Sequence, residues 1–187
     1  MADQGAEGIL SPFLSQKRFD AVRPFLKGRV LDFGCGSGGL AEYVSSDKYL
    51  GIDIDNESVS KAKVRFPSHK FLNALPENNE KFDTISLLAV IEHVSDPVAL
   101  LNKLTTYLSA NEHAKLVITT PHPSLEWIHT IGASLGLFSK HANEEHESLL
   151  DRNQLVLVGK KAGLKLEIYK RFLLGANQLA IFSKEVS

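Results

Sequence analysis

A chain of 187 residues, 43% hydrophobic and 23% charged, has ordinary globular composition and suits one domain with a proper core. Its formal charge of −1 and the absence of any basic stripe disfavour a nucleic-acid substrate. A single cysteine, Cys35, excludes an internal disulfide, and no run of about 18 apolar residues offers a membrane span, so a cytoplasmic location is the expectation.

Met1 to Leu10 carry acids and glycines without the charged-then-apolar pattern of a signal sequence. Phe13, Leu14, Phe19, Val22, Phe25 and Leu26 then recur at helical spacing, which predicts an amphipathic helix weakened near its end by Pro24. Residues 1–26 therefore read as a helical segment able to cover a ligand.

Arg29 to Phe33 is a short apolar run interrupted by Asp32, and it breaks into Gly34, Gly36, Gly38 and Gly39, four glycines within six residues. The pattern predicts a buried strand whose end turns sharply and lets something approach its backbone closely. Leu40 to Val44 has helical character, so loop amides at a helix start would face that ligand. Tyr49 to Asp55 reads as a second strand, and its carboxylates fall roughly 20 residues after the first glycine, where an acid can take a ribose hydroxyl. An adenosine-bearing ligand fits that geometry.

Asn56 is the expected cap of a helix running through Val59, Ala62 and Phe66 to Pro67. His69 to Leu72 reads as a third strand, ending at Asn73-Ala74-Leu75-Pro76. Phe82 to Leu88 is the fourth, and Ala89-Val90-Ile91-Glu92-His93-Val94 follows at its carboxyl end, where open α/β sheets bind their ligands. Asp96 and Pro97 open a helix that buries Leu100, Leu101, Leu104 and Leu108, and Lys115 to Pro121 is a fifth strand.

Residues 122–149 read as an insertion or lid over the active face. Leu125, Trp127, Ile128, Ile131, Leu135 and Phe138 have helical spacing softened by Gly132 and Gly136, and His141 to Glu147 is polar and acidic. Asp151 to Ala162 is predicted helical and closed by Gly163. Leu164 to Leu174 and Ala176 to Lys184 form a strand pair joined near Gly175.

Gly34, Gly36 and Gly39 also satisfy the dinucleotide fingerprint, so an NAD(P)-dependent oxidoreductase and an S-adenosylmethionine (SAM) methyltransferase both stand at this point. The fuller string separates them. Asp32 before Gly34-Cys35-Gly36, Gly51-Ile52-Asp53 on the next strand, Phe82-Asp83 opening a later one and the terminal strand pair together resemble the class I, Rossmann-like SAM-dependent methyltransferases. That resemblance implies an α/β fold of one domain over residues 1–187. Its sheet would be doubly wound, mostly parallel and seven-stranded, with a C-terminal antiparallel hairpin and helices on both faces.

The resemblance also implies the site. Asp32, Gly34, Cys35 and Gly36 would lie by the methionine part of SAM, and Asp53 with Ile54 by the ribose. Asn73, Ala74 and Leu75 would lie by the adenine, with Leu88 at the end of the fourth strand, and Arg18 would meet the cofactor's carboxylate. S-adenosylhomocysteine (SAH) would be the product. Glu92 and His93 are the catalytic candidates by position, and Ile91-Glu92-His93-Val94 resembles small-molecule O-methyltransferases of the quinone-modifying type.

In the more distantly similar small-RNA 2′-O-methyltransferases a further glutamate completes a metal site. Ala89 stands there in this chain, so no metal is expected, although His146 could supply a later histidine. Among the other histidines His122 alone is placed to touch substrate. The expected function is methyl transfer to a small-molecule acceptor bearing a hydroxyl. A SAM-binding module without catalysis is the alternative from another class.

Overall fold

The computed structural model describes residues 11–76, 80–125 and 149–185. Helix α1 covers Ser11–Val22, and Pro24 turns its end into a short 3-10 segment, Arg23–Phe25. Strand β1, Val30–Phe33, pairs in parallel with β2, Tyr49–Ile52, on one side and with β4, Thr84–Leu88, on the other. Strand β3, Lys70–Leu72, lies outside β2, and β5, Lys115–Pro121, lies outside β4. Strands β6, Leu164–Phe172, and β7, Asn177–Lys184, form an antiparallel hairpin, with β7 against β5.

The strand order is β3-β2-β1-β4-β5-β7-β6 in one seven-stranded sheet. Direction of winding reverses between β1 and β4, so the loops leaving those two strands diverge and open a crevice at their carboxyl ends. Both sheet faces are covered. On one, Leu101 and Leu104 of α3, Pro97–Thr105, and Leu155 of α4, Arg152–Lys161, pack with Leu31, Ile85, Leu116 and Phe182. On the other, Val22 of α1 and Val59 and Ala62 of α2, Asn56–Arg65, pack with Val117, Leu179 and Ile181. Each fully buried leucine or isoleucine contributes about 1.5–3 kcal/mol of transfer free energy, which is why the near-continuous apolar strands choose the middle layer.

Local departures from the sequence expectation have physical causes. The stretch after the glycine loop is only a 3-10 segment, Gly39–Tyr43, because Val44 turns extended and a second such segment, Ser46–Lys48, leads straight into β2. Asp55, not Asn56, caps α2: its extended backbone lets the carboxylate accept from the Glu57 and Ser58 amides, whereas Asn56 is already helical. Phe13 does not join the core and is 52% exposed. Asp96 caps α3 with Pro97 in its first turn, and Asp151 forms a capping box with Gln154 on α4. The apolar and acidic stretches expected within residues 126–148, with His129, His141 and His146, lie outside the described residues.

Candidate active site

The crevice is built from the turn after β1. Gly34 and Cys35 both donate their amides to Ile52 O, at 2.8 and 2.9 Å, which pins the start of the loop to the end of β2. Gly34 has φ +75°, and a Cβ there would lie 2.4 Å from Val90 Cγ2, so only glycine lets the loop nest against the segment after β4. Gly36 differs: its φ is +50°, yet a Cβ would meet nothing within 4 Å. Open space therefore lies over the loop at that point.

Asp53 stands one strand over, half-buried. Its Oδ2 accepts from the Gly36 amide at 2.8 Å and its Oδ1 from the Asp55 amide at 2.9 Å, which leaves further lone pairs on both oxygens. Ile54 beside it is 70% exposed, an apolar side chain left mostly open. Asn73, after β3, donates to Asn56 Oδ1 at 3.1 Å, so its own carbonyl oxygen keeps its acceptor capacity. Ala74 is exposed, and Leu75 is half-buried against the core.

Asp32 is placed differently from its neighbours. It is 3% exposed, and its two oxygens accept from Tyr49 Oη at 2.8 Å and Ser86 Oγ at 2.9 Å, so it braces β2 and β4 against β1 from within the sheet. Burial raises its carboxyl to about 6, against the pull of those two hydroxyl donors. Cys35 is buried as well, and burial pushes its thiol above the usual range, which suits a small packing residue and not a nucleophile.

At the end of β4, Leu88 is half-buried and Ala89 takes a left-handed conformation, φ 56°, held by its amide donating to Thr119 O at 2.8 Å. This left-handed residue, a conformation that costs alanine free energy, ends the strand, and a 3-10 turn, Ile91–His93, follows. Glu92 is 1% exposed and His93 half-buried, so the two adjacent side chains differ sharply in their access to solvent. Burial raises the Glu92 carboxyl above its ordinary value, and its own backbone amide, His93, Thr120 and Arg18 oppose that shift. Among the described residues, Glu92 Oε2 and the hydroxyls of Thr119 and Thr120 are buried with no partner at full hydrogen-bond geometry, although Thr120 lies close enough to favour the ionised Glu92.

Arg18 reaches this point from α1, where its Nε donates to Asn177 Oδ1 at 3.4 Å. Burial lowers its pKa and the charge of Glu92 raises it. Asn177 faces Pro121 across the β5–β7 register, and the next pair inward is Thr120 with Gln178. Thr119, Thr120 and Asn177 were not anticipated. The signal was present, because two hydroxyl residues close an otherwise apolar strand at the carboxyl edge of the sheet.

Other histidines have local work. His69 Nε2 lies 2.9 Å from Val44 O, and His122 Nδ1 contacts Ser124 Oγ at 2.8 Å, with its pKa lowered by burial and then by Arg171. Among the described residues no group of three or more His, Cys, Asp or Glu side chains forms a metal-binding cluster. No helix among them is long and apolar enough to cross a membrane.

An open sheet with a backbone hollow at its switch point, an acid on the adjacent strand and an antiparallel terminal hairpin defines a Rossmann-like protein of the methyltransferase kind. The methyltransferase-domain family model matches residues 9–168, and the chain belongs to that family. Family membership leaves the nicotinamide reading without support.

Solved structures of methyltransferases share the fold. One is the plantazolicin methyltransferase BamL in complex with a triazolic desmethylPZN analog and SAH, with TM-score 0.74 and 16% identity over 95% of this chain and 88% of that one. Another is the Synechocystis PCC 6803 magnesium protoporphyrin IX methyltransferase with bound SAH, with TM-score 0.70 and 15% identity over the same shares. A relative by sequence is the ubiquinone biosynthesis O-methyltransferase of Parvibaculum lavamentivorans, 34% identical over 98 residues, which are 47% of this chain and 39% of that protein. The chain spans from about 36% to about 64% of the length of the curated relatives it matches first.

Proposed function

We propose that this protein acts as one domain that binds SAM and transfers its methyl group to a hydroxyl of a small-molecule acceptor. The observation that carries the reading is the pairing of the open space over Gly36 with the Asp53 carboxylate, which the Gly36 amide itself fixes. Gly34, Cys35 and Gly36 would line the methionine part, with Asp32 bracing the loop beneath. Asp53 would take ribose hydroxyls, the bare Ile54 would cover one face of the nucleoside, and Asn73, Ala74 and Leu75 would read the adenine edge. Leu88 would close the floor, and the Arg18 guanidinium, held at Nε by Asn177, would take the carboxylate.

The bound cofactor supplies an electrophilic methyl on sulfur. The chain's part is to hold the acceptor oxygen about 3 Å from that carbon and to remove the hydroxyl proton. His93 is the better placed of the two candidate bases, because it is half-buried after the carboxyl end of β4 while Glu92 is fully buried. A hydroxyl acceptor is supported by the O-methyltransferase name of the sequence relatives and by the presence of a histidine there. The near-neutral charge supports a small molecule over a nucleic acid.

Calorimetric titration with SAH and with NAD tests the cofactor, and SAH binding without NAD binding is expected. Turnover on a panel of phenols, primary amines and thiols tests the acceptor. Methylation of amines alone would overturn the hydroxyl assignment, and SAH binding with no methylated acceptor would favour a non-catalytic module.

A further inference from the structure

Gln178 of β7 is fully buried, on the sheet face that Ala180 and Phe182 share with α3 and α4. An apolar side chain would cost less there, because a buried amide is tolerated only when its donors and its acceptor are met. All are met. Its Nε2 donates to Pro121 O at 3.0 Å and to Leu150 O, and its Oε1 accepts from Tyr169 Oη at 2.9 Å.

The two carbonyls belong to opposite ends of one connection. Pro121 is the last residue of β5, and Leu150 stands just ahead of α4. Both ends need such a partner: Pro121 has no N–H to give to β7, and Leu150 lies outside any strand or helix. Holding the ends of a long connection together costs chain entropy, and one side chain offsets that cost at a single point. Tyr169 of β6 fixes the amide from behind, and the Arg152 guanidinium, in the first turn of α4, lies 5.7 Å from the centre of the Tyr169 ring.

This knot lies next to the crevice. The carboxyl end of β5 runs beside that of β4, with Thr119 paired to Leu88, so the residues leaving β5 border the place where an open α/β sheet takes its ligands. His122 is the first of them.

We propose that Gln178 is a positioning residue for the acceptor. By holding Pro121 and Leu150 together it sets where His122 and Ser124 stand at the rim, and so governs acceptor binding without governing the cofactor. This rests on the methyltransferase reading above.

Amide hydrogen exchange, calorimetry and steady-state kinetics on the full chain test it. Gln178→Leu removes all three bonds and should speed exchange about tenfold or more in peptides covering residues 119–125 and 149–155. Exchange over residues 30–39 and SAH affinity should stay within a factor of about two. For a phenol that the unmodified protein methylates, KM should rise about tenfold while kcat changes less than about threefold. Unchanged exchange at both ends overturns the proposal. So does faster exchange throughout the chain, or SAH affinity falling in step with the rise in KM, since either makes Gln178 a general core residue.

Tyr169→Phe keeps the proposal testable if Gln178→Leu does not fold, because it deletes only the bond that orients the amide. It should move exchange at both ends and KM in the same direction by about two- to fivefold, and no movement in either overturns the proposal. A protein that methylates no phenol overturns the hydroxyl reading instead. Exchange at the two ends then decides alone whether Gln178 holds them, which keeps the two failures apart.

Discussion

The Gly36 amide and Asp53 Oδ2 lie 2.8 Å apart, so the first glycine loop and the acid of the second strand are joined before any ligand arrives. With the Asp55 amide on the other oxygen, the carboxylate is held from two sides and needs no reorganisation to receive hydroxyls. Asp53→Ala should therefore weaken SAH by about 1–3 kcal/mol, through lost ribose contacts and a loosened loop. Calorimetry checks this, and an unchanged affinity would move the ribose contact elsewhere.

Gly34 and Gly36 should respond differently to alanine. At Gly34 the new Cβ meets Val90 Cγ2 at 2.4 Å, so Gly34→Ala should cost several kcal/mol of stability, on the order of other overpacked and strained sites. At Gly36 the space is open, so Gly36→Ala should cost about 1 kcal/mol of stability from φ alone and do its harm to SAH affinity instead. Urea unfolding beside calorimetry separates the two effects.

Asp32 gives the molecule a defined acid dependence. Its folded value, about 6, lies above the ordinary carboxylate value, so between the two the native chain holds a proton that the unfolded chain has released. This contribution to stability is complete below pH of about 4, shrinks as pH rises and is gone above about 6, a change of roughly 2–3 kcal/mol. Asp32→Asn should flatten the profile. Tyr49→Phe removes a donor that favours the charged form, so it should cost more at pH 8 than at pH 5. Urea midpoints across this range are the measurement.

His93→Gln should lower kcat about 100-fold or more while leaving SAH affinity within a factor of two, if the imidazole takes the acceptor proton. Equal losses in both quantities would make His93 a structural residue. Single-turnover kinetics beside SAH titration distinguishes the outcomes.

Much of the scaffold was legible because strands of an α/β sheet are nearly pure apolar runs between strong turn signals. Val30 to Phe33 and Lys115 to Pro121 stand out in this way, and Asp96-Pro97 and Asp151 marked helix starts that the structure uses. The cap on α2 moved by one residue because Asp55 and Asn56 are both competent, and only the backbone conformation chooses between them. The glycine loop and Asp53 were legible from spacing.

Long-range pairings were not. Nothing local in Asp32 says that Tyr49 and Ser86 will enclose it, and nothing in Arg18 says that it will reach Asn177, 159 positions away. The left-handed Ala89 was equally invisible, since alanine carries no signature of that conformation.

One fastening at the rim reaches beyond the site. Arg171 Nη2 donates to Ser124 Oγ at 2.7 Å and the His122 amide donates to Ala176 O at 3.0 Å, so the stem from which residues 126–148 depart is moored to the turn of the β6–β7 hairpin. Anyone grafting a foreign insertion onto this scaffold would have to transplant residues 171–176 along with it. The segment from His122 to Ser124 and the turn of the β6–β7 hairpin are, for purposes of evolution and engineering, a single exchangeable cassette.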